Sequence, residues 1–189
     1  MYFGGGTPSL LSPESVDSVL RGICGSFDVS DGAEITMEAN PSSVSLESLR
    51  GYASAGVNRI SLGVQSASDI ELKALGRLHN FDDARKAVEN TVLAGIKNIS
   101  CDIMLGTPLQ TLDSVVYSAG RIAELEVGHI SCYMLKIEEG TLFDCDKIRS
   151  QAASDDLCAD MYLALCEKLE GLGYQRYDCL LYTSPSPRD

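Results

Sequence analysis

The chain has 189 residues, 44% of them apolar, which is enough to bury one sizeable hydrophobic core. Its formal net charge of −12 argues against a nucleic-acid-binding protein, because phosphate contacts need a basic patch and the sequence has none. No stretch of the sequence is long and apolar enough to predict a membrane span.

The N-terminal segment is predicted to form a strand, a glycine-rich loop and a helix. Tyr2–Phe3 contains aromatic residues, which favour strands. The glycines at 4–6 can adopt positive φ and allow a ligand to approach the backbone, although a tight turn without a ligand is the alternative. Ser12 and Pro13 are typical of a helix start, and Gly25 is predicted to end that helix.

Strand and helix patterns then alternate along the chain. Strands are indicated by short alternating or apolar runs, and helices by apolar residues at helical spacing. Such regular alternation is typical of a parallel sheet with right-handed crossovers. The later strands are predicted at 34–40, 59–65, 99–105 and 129–135, and the helices between them at 46–55, 70–75, 81–94 and 112–125.

These later strands are apolar on one face and small or polar on the other. A closed barrel fills its interior with branched apolar side chains, and fully covered parallel strands are apolar on both faces. We therefore predict an open, partial barrel whose polar face lines a wet or ligand-filled concavity, with the helices on the apolar side. The polar face carries Thr36, Glu38, Ser61, Gly63, Gln65, Ser100, Asp102, Ser131 and Tyr133.

Polar groups also gather at the C-terminal ends of the strands, where barrel enzymes have their active sites. They are the glycine loop, Glu38, Gln65 and Asp102. Each has a structural alternative, since the carboxylates could cap a helix or a turn and Gln65 could bond loop backbone. Their equivalent positions on successive strands together favour a binding site.

The cysteines and histidines are interpreted as structural. The 7 cysteines are irregularly spaced without a Cys-x-x-Cys pair, which argues against a disulfide framework and a zinc site. Several lie on apolar faces, where a free cysteine is a small hydrophobic residue, as expected in a reducing compartment. His79 and His129 are interpreted as structural residues rather than ligands.

Several segments resemble a radical S-adenosylmethionine family that contains oxygen-independent coproporphyrinogen III dehydrogenase and the haem chaperone HemW. The order and spacing match along residues 1 to about 178, and three of the motifs look more like the chaperone. The resemblance implies an α/β fold, a partial, open (β/α)6 barrel over residues 1–150. The matching segments are Phe3-Gly-Gly-Gly-Thr-Pro-Ser9, Glu38-Ala-Asn-Pro41, Asn58-Arg-Ile-Ser-Leu-Gly-Val-Gln-Ser66, Leu75-Gly-Arg-Leu-His-Asn80 and Asp102-Ile-Met-Leu-Gly-Thr-Pro108.

The resemblance also implies an S-adenosylmethionine site. Backbone carbonyls and a carboxylate suit the ammonium group, a guanidinium suits the α-carboxylate, and Asp and Gln can bond ribose hydroxyls. By itself, Arg77 would be interpreted as a surface cation on a short helix. The residues that match the family's cofactor contacts are Gly5, Gly6, Thr7, Glu38, Gln65, Arg77 and Asp102.

The sequence departs from the family at both ends. The Cys-x3-Cys-x2-Cys that ligates a [4Fe–4S] cluster is not present, and its place would lie upstream of Met1. We therefore expect a fragment that lacks the first strand and the cluster loop and cannot hold the cluster by itself. Residues 151–179 are predicted to begin a C-terminal region as a helix and then a strand. Residues 180–189 do not resemble the family and are interpreted as a non-native or disordered tail without the chaperone's haem motif.

Three functions remain open from the sequence. The first is the S-adenosylmethionine-binding core of a HemW-like haem chaperone, with haem or porphyrin and a haem-accepting protein as partners. The second is a coproporphyrinogen III dehydrogenase, which decarboxylates propionate side chains oxidatively. The third is an unrelated barrel enzyme. The expected location is the cytoplasm, or the mitochondrion in a eukaryote.

Overall fold

Five parallel strands form one sheet in the computed structural model, which describes residues 1–141 and 143–177. The strands follow one another in chain order across the sheet, so each connection crosses over to the next strand. They are β1 (Tyr2–Phe3), β2 (Thr36–Ala39), β3 (Arg59–Gln65), β4 (Asn98–Leu105) and β5 (His129–Met134).

Four of the helices begin directly after a residue whose side chain caps the first turn. Side chains of Ser12, Ser45, Asn80 and Thr111 each accept a hydrogen bond from a backbone N–H of the first turn. The helices are α1 (Pro13–Ser26), α2 (Leu46–Ala55), α3 (Asp69–Ala74), α4 (Phe81–Leu93), α5 (Leu112–Ala123), α6 (Asp146–Arg149) and α7 (Asp155–Gly171).

One predicted helix end is wrong. Gly25 does not end α1, because the helix continues through it to Ser26, and Phe27 then leaves in an extended conformation with φ −131°. By contrast, Gly56 does end α2, with φ 114°. A glycine ends a helix only where the chain turns into the left-handed region, and the path after α1 does not require that turn.

The hydrophobic core lies between the apolar face of the sheet and the helices. Met37, Ile60, Leu62 and Ile103 are fully buried there, as the strand pattern predicts. Helix α7 packs on α5 and belongs to the same core. The helices contribute Val16, Leu20, Leu49, Tyr52, Ala84, Val88, Val115, Ala119, Ile122, Met161, Leu165 and Leu169.

The opposite face of the sheet is polar, and its side chains are neighbours across the strands. The register places Ser61 beside Glu38 on one side and beside Ser100 on the other. It also places Asp102 beside Ser131. The predicted polar face is therefore one continuous surface across β2 to β5.

The predicted fold class is confirmed: strands and helices alternate around an open parallel sheet of the partial-barrel type. No helix in the described ranges is long and apolar enough to cross a membrane. The domain boundary near residue 150 stays a prediction. The helix expected after it is α7, the strand expected next falls partly outside the described residues, and the tail at 180–189 falls wholly outside them.

Candidate functional site

The glycine loop after β1 lies directly against Glu38 of β2. Gly5 and Gly6 adopt positive φ, 83° and 62°, which favours glycine. The Gly5 N–H donates to Glu38 Oε2 over 3.2 Å, although the two residues are 33 positions apart. Thr7 then leads into the 3-10 turn Pro8–Leu10, and its carbonyl accepts the Leu10 N–H at 3.1 Å.

A buried tyrosine holds the far side of this loop. The Tyr52 hydroxyl of α2 donates to the carbonyls of Ser9 at 3.0 Å and Leu11 at 2.7 Å. Ser9 in turn contacts Ser43, with 2.6 Å between the two hydroxyl oxygens. The glycine loop is thus held at its end by α2 and by the turn after β2, while Gly5 and Gly6 stay exposed.

Glu38 has a second partner that the sequence did not reveal. The Tyr2 hydroxyl donates to Glu38 Oε1 at 2.7 Å, and burial, together with this carboxylate, raises the pKa of Tyr2. A Cβ at Gly4 would lie 2.5 Å from Tyr2 Cε1, so a side chain at Gly4 would displace the ring. Tyr2 therefore keeps the half-buried carboxylate of Glu38 beside the loop.

Gln65 ends β3 in an unusual backbone conformation. Its φ is 72°, and the Ser66 N–H donates to the Val64 carbonyl at 2.9 Å, so that Gln65 is the central residue of a γ-turn. The Gln65 side chain is only 7% exposed, and Oε1 has no hydrogen-bond donor among the described residues. A buried amide oxygen without a donor costs free energy, so this atom is available to accept a hydrogen bond from a ligand or a water, as are the buried His79 Nδ1 and Thr107 Oγ1.

The glycine at position 63 makes room for this amide. A Cβ on Gly63 would lie 2.9 Å from Gln65 Nε2, which is closer than real Cβ contacts. Gln65 therefore lies along the polar face beneath Gly63. The sequence places both residues on that face, but their contact depends on the γ-turn.

Replacing Gly63 with Ala is expected to displace the Gln65 amide and to weaken binding of S-adenosylmethionine roughly three- to tenfold, the equivalent of one hydrogen bond. Calorimetric titration would measure this. Gly128→Ala is the matched control, because a Cβ there meets no atom within 4 Å. Equal affinities of the two variants would contradict the contact.

Asp102 lies half-buried on the same polar face. The Ser61 hydroxyl donates to Asp102 Oδ1 at 3.2 Å. Burial raises the pKa of Asp102, and hydrogen bonds from Ser61 and Ser131 oppose that effect. Nearby charges act as well, since Glu38 raises the pKa of Asp102 and Arg59 lowers it.

The structural alternative for Asp102, capping a turn, does not apply to the turn that follows β4 in the described structure. That loop is held by Gln110, whose Oε1 accepts the Thr107 N–H at 3.3 Å and whose Nε2 donates to the Met104 carbonyl at 3.0 Å. Asp102 instead shares the polar face with Glu38 and with hydroxyls of the flanking strands.

Arg77 lies in the loop between α3 and α4, half-buried rather than on the surface. Burial lowers the pKa of its guanidinium, and the nearby Asp102 carboxylate opposes this effect. Within the described ranges Arg77 forms no ion pair. A desolvated guanidinium without a paired carboxylate is suited to an anionic ligand group.

Both histidines have structural contacts, as interpreted from the sequence. His79 is buried, and its Nε2 lies 3.2 Å from the Val64 carbonyl at the γ-turn. His129 Nδ1 lies 2.7 Å from the Ser100 hydroxyl. Burial lowers the pKa of both imidazoles, which favours their neutral forms.

The described residues do not supply a metal centre. No group of three or more His, Cys, Asp or Glu side chains in them could hold a metal ion. Cys101 and Cys158 are buried, and burial raises the pKa of the Cys101 thiol to about 12, whereas Cys24 and Cys145 are exposed. The prediction that cysteines serve as small, buried hydrophobic residues is thus confirmed for Cys101 and Cys158.

A cavity of about 900 Å³ lies between β5, the end of α5 and α7, and its wall includes Ser131, the neighbour of Asp102 on the polar face. None of the residues that match cofactor contacts lines it. Tyr177, the last described residue, forms part of its wall. The cavity is therefore next to the point where the chain continues.

Comparison with known proteins gives consistent results. Residues 1–121, more than half of the chain, match the Radical SAM superfamily. The chain is 40% identical over 182 residues to a Haemophilus influenzae protein named heme chaperone HemW, covering 96% of this chain and 47% of that protein. It is 38% identical over 185 residues to the Escherichia coli protein of the same name, covering 98% and 48%.

A mouse protein is also similar. It is named radical S-adenosyl methionine domain-containing protein 1, mitochondrial, and is 37% identical over 180 residues, covering 94% of this chain and 41% of that protein. The chain thus spans about half the length of the curated relatives that it matches.

Solved structures show the same fold at lower identity. Coproporphyrinogen III oxidase (HemN) from Escherichia coli superposes with a TM-score of 0.83 at 24% identity, covering 92% of this chain and 40% of that one. Elp3 from Methanocaldococcus infernus superposes with a TM-score of 0.72 at 18% identity, covering 87% and 44%. The sequence match, the open parallel sheet and its polar rim lead to one conclusion: the chain belongs to the radical SAM superfamily.

Proposed function

We propose that this chain is the S-adenosylmethionine-binding core of a HemW-like haem chaperone. The observation that carries the cofactor site is the buried Gln65 amide oxygen, which has no donor in the described structure and lies on the same polar face as Glu38 and Asp102. The identities of 40% and 38% to proteins named heme chaperone HemW support the chaperone.

The charges of the rim match those of S-adenosylmethionine. Glu38 and the carbonyls of the glycine loop, Gly5 to Thr7, would accept hydrogen bonds from its ammonium group. Arg77 would bind its α-carboxylate, and Asp102 would accept hydrogen bonds from the ribose diol. Gln65 would use its buried amide oxygen to accept a further cofactor donor. When bound, the cofactor supplies radical chemistry together with a [4Fe–4S] cluster in this superfamily.

The cluster and the haem would belong to the full-length protein. The described residues contain no group of three or more side chains that could hold a metal ion. By the family resemblance, the cluster cysteines would come from a segment that precedes the glycine loop. Haem or a porphyrin and a haem-accepting protein would be the partners. The compartment would be the cytoplasm, or the mitochondrion in an animal, since the mouse relative is named a mitochondrial protein.

A coproporphyrinogen III dehydrogenase is the second candidate. Its support is the superposition on the coproporphyrinogen III oxidase, but an identity of 24% indicates the shared fold alone. Full-length protein would separate the two, because the chaperone would retain haem without converting coproporphyrinogen III. Oxidative decarboxylation of that substrate would instead favour the dehydrogenase.

The cofactor site is tested by calorimetric titration of the chain with S-adenosylmethionine. We expect saturable binding of one molecule. Methylthioadenosine, which keeps the ribose and lacks the ammonium and carboxylate groups, is expected to bind at least tenfold more weakly, because two charge-assisted contacts are lost. Equal affinities for the two ligands would contradict the roles of Glu38 and Arg77.

A further inference from the structure

The γ-turn at Gln65 is a strained feature that needs support from its surroundings. Its φ of 72° lies in the left-handed region, which costs a residue with a side chain conformational energy. Such conformations persist only where neighbouring groups hold them. The contacts around Val64 to Ser68 therefore explain why this conformation is stable.

Two serines fix the backbone that follows the turn. The Ser66 hydroxyl donates to Glu71 Oε2 at 2.6 Å, and its oxygen accepts the Ser68 N–H at 2.9 Å. Ser118, on α5, accepts the Ala67 N–H at 3.0 Å, and its oxygen lies 3.3 Å from that of Ser66. Side chains from α3 and α5 thus bond to Ser66 and to the Ala67 N–H, and the Ser66 side chain in turn bonds to the Ser68 N–H.

A histidine holds the carbonyl on the N-terminal side of the turn. The Val64 carbonyl accepts the Ser66 N–H and also lies 3.2 Å from His79 Nε2. A carbonyl oxygen can only accept, so His79 Nε2 carries the hydrogen in this contact, and burial lowers the pKa of His79, which favours the neutral ring. The Leu75-Gly-Arg-Leu-His79 motif and the end of β3 therefore meet at one atom.

The supporting side chains are all buried, with Ser66 and Ser118 fully inaccessible and Glu71 only 2% exposed. Water cannot readily replace a bond that is lost at such depth, so these buried hydrogen bonds restrict the groups that they join, although His79 Nδ1 has no hydrogen-bond partner among the described residues. Ser66, Glu71, His79 and Ser118 all contact the turn or the residues that follow it. The side chain that this turn directs to the polar face is that of Gln65.

We propose that this network is a set of positioning residues that hold Gln65 in its strained turn and so direct its amide to the cofactor. The network, called the Gln65 brace below, consists of Ser66, Glu71, His79 and Ser118. The part of the proposal that concerns the cofactor rests on the proposed function, whereas the support of the turn does not.

The test is a double-mutant cycle on the free energy of unfolding, which needs no cofactor. Gln65→Gly removes the strain and is expected to lower the unfolding equilibrium constant about fivefold. In the Ser118→Ala background the turn relaxes, and this gain should disappear. If Ser118 only fills space, Gln65→Gly stabilises both backgrounds equally, and that result would overturn the brace.

Thr91→Val is the matched control background. Thr91 is equally buried on α4 and donates only to its own helix, to the Ala87 carbonyl at 2.7 Å. In the Thr91→Val background, Gln65→Gly should therefore lower the unfolding equilibrium constant by the same factor as in the wild type. His79→Phe is the second brace variant if Ser118→Ala does not fold. It removes the donor to Val64 and keeps a ring, and it should abolish the gain in the same way.

Titration with S-adenosylmethionine separates the brace from the proposed function. Ser118→Ala is expected to weaken cofactor binding about tenfold although Ser118 lies on α5, and to add no further loss to Gln65→Gly. If the effects of Gln65→Gly and Ser118→Ala on unfolding depend on each other but the cofactor affinity is unchanged, the Gln65 brace is supported and Gln65 is rejected as a cofactor contact. An uncoupled cycle would reject the brace whatever the affinity.

Discussion

Replacing Asp102 with Ala is expected to weaken binding of S-adenosylmethionine about ten- to hundredfold, because it removes a charged acceptor worth roughly 1.5–3 kcal/mol. Folding should not suffer, since burial already raises the pKa of this carboxyl and so works against its charged form. Calorimetric titration and thermal melts of the same protein measure both effects.

Asp113→Ala is the control for Asp102→Ala. Asp113 is an exposed carboxylate in the first turn of α5, so its removal changes the net charge equally without touching the polar face. Unchanged affinity with a lowered melting temperature for Asp102→Ala would reject the ligand role and restore a structural one.

The pH dependence of Asp102→Ala has a defined sign. Because the folded pKa of Asp102 is raised, the folded chain binds a proton more readily than the unfolded chain does. The wild type should therefore gain stability relative to the variant as the pH falls through the raised pKa toward the ordinary aspartate value. A relative loss over that window would contradict the burial effect.

Replacing Gln65 is expected to separate cofactor affinity from stability. Gln65→Ala should weaken cofactor binding by about tenfold, the value of a buried hydrogen bond. Gln65→Gly should lose the same affinity yet be more stable than Gln65→Ala by about 1 kcal/mol, because φ 72° favours glycine. Urea denaturation and calorimetry measure the two quantities.

The control is a strand position with ordinary backbone angles, where alanine is more stabilising than glycine. Asn98 is an exposed strand residue whose φ is not positive, so Asn98→Gly should be less stable than Asn98→Ala. Finding that alanine is also preferred at Gln65 would mean that the turn is not strained in solution.

These predictions share a physical cause. The proposed cofactor site combines a desolvated carboxylate at Asp102, an amide oxygen without a donor at Gln65 and a guanidinium without an ion pair at Arg77 in the described structure. Each group is unfavourable in the protein alone and favourable beside a ligand of opposite polarity. Their convergence at one edge of the sheet is the strongest physical argument for a binding site.

The sequence by itself determined the fold class and the polar face. Strand residues alternate between two faces, so the small and polar residues Ser61, Ser100 and Asp102 had to share one side once their strands were aligned in parallel. Capping at Ser12 was equally predictable, because a cap and its N–H partner lie within one turn.

Only the tertiary structure decided the contacts between distant segments. The bond from Gly5 to Glu38 and the contact of His79 with Val64 depend on how β1, β2 and the loop after α3 are placed, and no periodic pattern encodes that placement. The positive φ of Gln65 was not predictable either, because glutamine has no preference for it. Local periodicity specifies which face a residue occupies, whereas the packing of separate elements specifies which atoms it meets.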